Sequence, residues 1–241
     1  MRQPLSNHYD NQFDAPLSWN QDETDVLVMC DKVLVPWERI FVKDDAIQAR
    51  EIYFKTPAHC YGNHQSNVRY WSKMELIVGL CYKVAKATGA DEVPAVRETL
   101  GKMSALESTL SGMIYGQIEN AENWPENFKT FNRRIMYAAL NFCTDNYSMI
   151  IDELRTLCGG GVFQMPASIK VMKNKELLND FETYFQTPQM NALDRMKLFK
   201  LAWDVVGSEF AGRQLQYEKF YAGASFIIIN NNFRETHWNH F

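Results

Sequence analysis

Three stretches of this 241-residue chain carry side chains whose types and spacing suit chemistry. The first is Gly207-Ser208-Glu209-Phe210-Ala211-Gly212-Arg213. Glycine inside a helical pattern costs stability relative to alanine. Gly207 and Ser208 lie three to five positions before Ala211 and Gly212, which makes a flat small-residue patch on one helix side. Something must approach that backbone closely. A crossing helix is one reading. The other is the flat or phosphate-bearing part of a ligand, with Ser208 and Arg213 as donors suited to a phosphate or ribose.

The second stretch is Gly159-Gly160-Gly161, which follows a helical pattern. Successive glycines can expose N–H groups to an anion. A helix C-terminus is the negative end of the dipole, however, so a sharp, closely packed turn is the better reading. No Gly-Lys-Ser/Thr follows, so this is not a P-loop. The third stretch runs from His59 and Cys60 through His64 and Gln65 to Arg69 and Lys73. No further ligand stands at a usual spacing, which argues against a metal. Gln65, Arg69 and Lys73 share one helix face, either solvated or turned toward a cofactor. No nucleophile elbow and no paired carboxylates mark a hydrolytic site.

Bulk composition narrows the classes. The chain is 46% hydrophobic and 22% charged with net charge -4, enough for a sizeable core and no case for nucleic acid or an anionic membrane. Five scattered cysteines without a CxxC pair predict reduced thiols rather than a disulfide framework. No apolar run has transmembrane length, and the first residues hold no apolar signal core, so the expected location is cytoplasmic.

The elements that must position these residues change character along the chain. Residues 1–24 are polar and turn-rich. Asp25 to Trp37 holds short β-branched runs that predict two strands, with Glu38–Val42 either extending the second or leading out of it. So little strand needs a partner. From about residue 65 the period becomes helical, with apolar residues on two faces up to Gly89. A helix from Pro94 and another from about Asn132 to Leu157 follow, then a shorter one at Lys175–Phe185. A last long helix is expected over Ala192–Tyr221. The tail after Gly223 reads equally as a docking segment or as frayed chain. Four long helices with short connections argue for a mainly α chain built as an antiparallel four-helix bundle.

At these places the sequence resembles a family. Asp25-Val26-Leu27-Val28 with Asp31 to Phe41, Gly159-Gly160-Gly161 with Gln164 and Pro166, and above all the run from Arg195 to Gly223 are similar to the large component of 4-hydroxyphenylacetate 3-monooxygenases. These flavin-dependent hydroxylases are related in fold to acyl-CoA dehydrogenases. The resemblance implies an N-terminal helical domain, a middle β-barrel and a C-terminal bundle that builds a tetramer. This chain matches only the last part. Residues 1–60 would be the end of the barrel, 61–223 the bundle and 224–241 a tail.

The resemblance also implies an activity. A separate flavin reductase supplies reduced FAD, oxygen is activated on it, and a phenol is hydroxylated beside its hydroxyl. The protein binds flavin, excludes water and positions the ring. The family's phenol-contacting residues match nothing in this chain, so no catalytic residue is carried over. Flavin binding is carried onto Ser208, Glu209, Phe210 and Ala211, with Gly207 and Arg213 by proximity and His64 and Gln65 from the start of the bundle. No metal is implied. A related iron–sulfur dehydratase needs a cysteine soon after the histidine, and none follows His64 until Cys81. The expectation is the C-terminal region of a two-component phenol monooxygenase, a dimer or tetramer, inactive without an N-terminal part. The alternative is a helical oligomerisation module that binds no flavin.

Overall fold

The computed structural model describes residues 5–23 and 25–240. They are mainly helical: α1 (Pro16–Asn20), α2 (Ala46–Lys55), α3 (Ala58–Thr88) and α4 (Pro94–Glu119) precede a hairpin of β1 (Glu122–Trp124) and β2 (Phe128–Thr130). Then come α5 (Arg133–Cys158), α6 (Gly161–Gln164), α7 (Lys175–Phe185), α8 (Ala192–Val206), α9 (Glu209–Phe220) and α10 (Ser225–Arg234).

Local sequence sets the helix ends. Asn132, Asn174 and Asn191 each accept a first-turn N–H of α5, α7 and α8 on the side-chain oxygen. Those are donors that a helix leaves unpaired. Gly89 closes α3 at φ 73, a left-handed conformation that glycine adopts without strain. The expected α7 forms over Lys175–Phe185, and α5 matches its expected span within a residue at each end.

The core sits around α5, which touches α3, α4, α8, α9 and α10. Met74, Met103, Leu110, Ile150, Leu154 and Met196 are all buried there. Each such side chain contributes roughly 1.5–3 kcal/mol on burial. The chain end is not frayed: α10 docks on α5, with Ile228 buried against Cys60, Met136, Tyr137 and Leu140.

Three expectations need correction. α3 starts at Ala58 rather than near 65, so His59, Cys60 and His64 lie inside it. The last long helix is two, because the chain breaks at Gly207-Ser208. Residues 25–42 form no strand; apart from one 3-10 turn at Trp37–Arg39 they run irregularly, with Leu27, Leu34 and Phe41 exposed. Strand propensity acts only through a ladder partner, and the described chain offers this segment none. The β1–β2 hairpin arises instead where the α4 pattern fades, turning through Glu126 and Asn127 at positive φ.

The N-terminal segment is tied to α8 by buried carboxylates. Asp204, 1% exposed, accepts the backbone N–H groups of Leu17 and Ser18, both at 2.7 Å, and the Ser18 hydroxyl at 2.5 Å. It thus serves the free first-turn donors of α1 from 187 residues away. Asp14 accepts from Asn11, the Ser168 hydroxyl and the Ile169 N–H. Burial opposes ionisation of Asp14, but these hydrogen bonds and Lys200 outweigh it and hold the carboxyl below its ordinary range.

Asp204→Ala is expected to lower stability by about 3 kcal/mol, because three buried donors lose a charged acceptor. Denaturant titration measures this, and a loss under about 0.5 kcal/mol would show that the segment is held by other contacts. Asp14 has a depressed folded-state pKa, so its stabilisation is complete above 3.8 and is lost as pH falls through the folded value. Asp14→Asn should therefore flatten the acid limb of the stability profile; an unchanged limb would contradict the assignment.

Candidate functional site

Between α3, α5, α8 and α9 opens a cleft of about 470 Å³. α3 contributes Arg69, Lys73, Leu76 and Ile77, and α9 contributes Phe210, Ala211, Gln214 and Tyr217. Leu17, Gln21 and Glu23 of the N-terminal segment form the remaining wall, which the Asp204 and Arg213 contacts hold in place. The size suits a small organic group or one ring system of a larger ligand.

The cleft brings together two of the features singled out in the sequence: the polar face of α3 and the start of α9. At that start, α8 stops because the Trp203 ring folds against Gly207, where any Cβ would overlap the indole. Ser208 then caps α9. Its hydroxyl accepts the Ala211 N–H at 3.1 Å and donates to the Asp204 carbonyl at 3.2 Å. Gly207 and Glu209 are exposed at the break, while Phe210 and Ala211 are buried on the cleft side. One side-chain cap satisfies only part of a helix start, so the first turn of α9 keeps N–H groups and a positive dipole end for an anion.

The small-residue patch is thus not one continuous helical face. Gly207 is required by Trp203, whereas a Cβ at Gly212 would meet open space. Arg213 is already engaged, with Asp22 at 2.5 Å, the Glu23 carbonyl at 3.0 Å, and Asp25. It fixes the N-terminal segment. His64 and Gln65 do not line the cleft. His64 Nδ1 donates to Oε1 of the buried Gln117 at 2.9 Å, and its ring stacks on Phe131 with centroids 3.6 Å apart. Gln65 is exposed. Among the described residues no His, Cys, Asp and Glu are gathered as a metal would require.

Paired with the cleft-lining Arg69 and Lys73 is a group that sequence reasoning missed. Glu218, its side chain 1% exposed, pairs with Arg69 at 2.8 Å and with Lys73. Arg69 lies over the Tyr217 and Tyr221 rings at 4.8 and 4.4 Å, a cation–π arrangement. Burial pulls the Lys73 amine below its ordinary value, with Glu218 opposing. Burial likewise pushes the Tyr217 phenol up to about 12, although Arg69 opposes. Arg69 Nη1 is buried without a protein hydrogen-bond partner. The spacing Gln214-Tyr217-Glu218-Tyr221 carries a faint signal, an acid amid aromatics on one helix face.

Comparison with known proteins agrees with this architecture. Residues 49–241 match the family described as 4-hydroxyphenylacetate 3-hydroxylase C terminal. The chain is 29% identical over 213 residues to the pyoverdin chromophore biosynthetic protein PvcC of Pseudomonas aeruginosa, covering 88% of this chain and 42% of that one. It is 30% identical over 215 residues to the oxygenase component of 4-hydroxyphenylacetate 3-monooxygenase of Thermus thermophilus, covering 89% and 44%. The crystal structure of such an oxygenase component complexed with FAD and 4-hydroxyphenylacetate superposes with a TM-score of 0.92 at 28% identity, covering 99% of this chain and 49% of that one. The chain therefore spans about half the length of the relatives it matches.

Gly207→Ala should cost about 1–3 kcal/mol, because the Trp203 ring must move. Gly212→Ala should instead stabilise by about 0.5–1 kcal/mol, since it removes a helical glycine without a clash. Thermal unfolding of both variants checks this, and equal signs would refute the division of the patch. By its sequence and its fold, the chain belongs to the 4-hydroxyphenylacetate 3-hydroxylase C-terminal family.

Proposed function

We propose that this chain is the flavin-binding helical part of a two-component monooxygenase that hydroxylates a phenol of the 4-hydroxyphenylacetate type. The observation that carries the reading is the meeting, in one cleft, of the α9 start and the Arg69–Lys73 face on a chain of this family. A relative of the same fold is a complex with FAD and 4-hydroxyphenylacetate. Helices α3, α4, α5 and the α8–α9 pair serve as the four-helix bundle of an acyl-CoA dehydrogenase-like domain. Residues 1–60, 61–223 and 224–241 are its approach segment, its body and its tail.

The residues present fit such a cofactor. At about 470 Å³ the cleft is too small for a whole dinucleotide and takes one part of it. The rest lies along the exposed start of α9. There, beside the exposed Gly207, the Ser208-capped first turn presents amides to an anionic group. Phe210 and Ala211 line the wall, and Glu209 stands at the mouth. Arg69 Nη1, lacking a partner, has a donor to offer. Leu17, Leu76, Val205 and Phe210 exclude water from the inner space. Bound reduced FAD, supplied by a separate reductase, provides the electrons that activate oxygen for insertion into the phenol ring. The groups that orient the phenol belong to another domain or chain.

That completion is also supported by exposed apolar surface. Leu27, Met29, Leu34 and Phe41 are more than four-fifths exposed, and Phe226, Ile229 and Phe233 face outward from α10. Contiguous apolar surface of this kind marks an interface. The proposed assembly is a dimer or tetramer in which an N-terminal part covers residues 25–42.

Anaerobic titration with reduced FAD tests the reading. Saturable quenching of tryptophan fluorescence and a raised Tm are expected. The same titration with the N-terminal half of the Thermus relative added covers a site shared between two parts. No response in either arm would leave the helical oligomerisation module as the better description.

A further inference from the structure

A second cavity, about 300 Å³, lies between the N-terminal segment, α6 and α8. Its walls include Tyr9, Phe163, Phe199 and Trp203, with Phe163 and Trp203 in an edge-to-face pair at 5.8 Å. Lys200, only 8% exposed, also lines it. A lysine so deeply buried is rare. Its Nζ donates to the Ala167 carbonyl at 2.7 Å and stands 3.6 Å from Asp14 Oδ1. Both partners line the same cavity, which puts the amine at the cavity wall.

Asp14 is held by three other donors at 2.8 to 2.9 Å, so its carboxylate is fixed in place beside the amine. Burial pulls the Lys200 amine below its ordinary value, with Asp14 opposing. A lysine whose ammonium is desolvated by burial is an activated nucleophile. The flavin reading makes no use of this group.

We propose that Lys200 is an imine-forming lysine and that its cavity takes a small aryl aldehyde. The Lys200 ammonium first gives up a proton to the neighbouring Asp14 carboxylate, the neutral Nζ adds to the carbonyl carbon, and the carbonyl oxygen takes that proton to give a carbinolamine. Loss of that oxygen as water leaves a protonated C=N bond. Overall, ammonium and aldehyde give iminium and one water. The positive charge is on nitrogen in the starting ammonium and again in the product iminium, so the neighbouring Asp14 carboxylate begins and ends with a counter-ion. The aromatic walls favour a flat ring over an alkyl chain, because edge and face contacts add to its burial.

The test uses the whole chain with limiting 4-hydroxybenzaldehyde and sodium cyanoborohydride at neutral pH, followed by peptide mass mapping. Reductive alkylation of Lys200 is expected to lead that of exposed lysines such as Lys83 and Lys219 by about tenfold, because only an unprotonated amine adds to the carbonyl. Propanal should lose that preference. Lys200→Met should remove the adduct while circular dichroism stays native; should that variant misfold, site mapping on the unaltered chain decides alone. Lys200 modified no faster than the exposed lysines, or left unmodified, would overturn the proposal and leave a purely structural tie between Ala167 and Asp14. No flavin enters the assay, so its outcome is independent of the flavin reading.

Discussion

The arrangement of this chain rests on a buried carboxylate, Asp204, placed three residues before a helix break. Burying it is tolerable because it accepts three hydrogen bonds, two of them from the positive end of α1. That one requirement fixes where residues 5–23 lie. Leu17, Gln21 and Glu23 become walls of the cleft, and Asp22 and Asp25 come within reach of Arg213. The same carboxylate residue lends its carbonyl to Ser208, so the segment, the break and the capping of α9 are mechanically one unit. Removing any member would disturb the others, as expected of polar groups that share a buried network.

Charge is handled differently at the other end of the cleft. Glu218 is almost fully buried and faces two cations, Arg69 and Lys73. A buried ion pair barely repays its desolvation, so such a cluster says little for stability. Its effect is positional. Glu218 and the two tyrosine rings hold the guanidinium in one orientation, leaving Nη1 for something other than protein. A site built this way loses little side-chain entropy when a ligand arrives.

Much of this was legible in the residues, and the misses have physical causes. Asparagine caps and Gly89 declare helix ends by chemistry within a few residues, so α5 and α7 were readable. The break at Gly207-Ser208 was hidden because apolar periodicity continues through it. Glycine followed by a capping serine was the available sign. Arg213 looked like a phosphate ligand because its partners, Asp22 and Asp25, are about 190 residues away and no local pattern announces them. Phe210 and Ala211 do reach the cleft, since position on α9 decides that. Glu218, Gln21 and Asp204 were missed for the reason that hid Arg213's partners: their roles exist only across the fold.

Residues 25–42 show the limit from the other side. Their β-branched runs are a true local preference, yet no strand forms. A strand is stabilised by its neighbour's ladder and side chains, not by its own backbone. Here the helices pack on α5, and among the described residues the one sheet, the β1–β2 hairpin, does not pair with this segment. A segment with Leu27, Met29 and Leu34 turned to solvent has therefore kept a preference that its surroundings do not meet. Local preference and global fold usually agree in natural sequences. Where they disagree over a whole segment, the missing contribution is a ladder partner, which no other described residue supplies to residues 25–42.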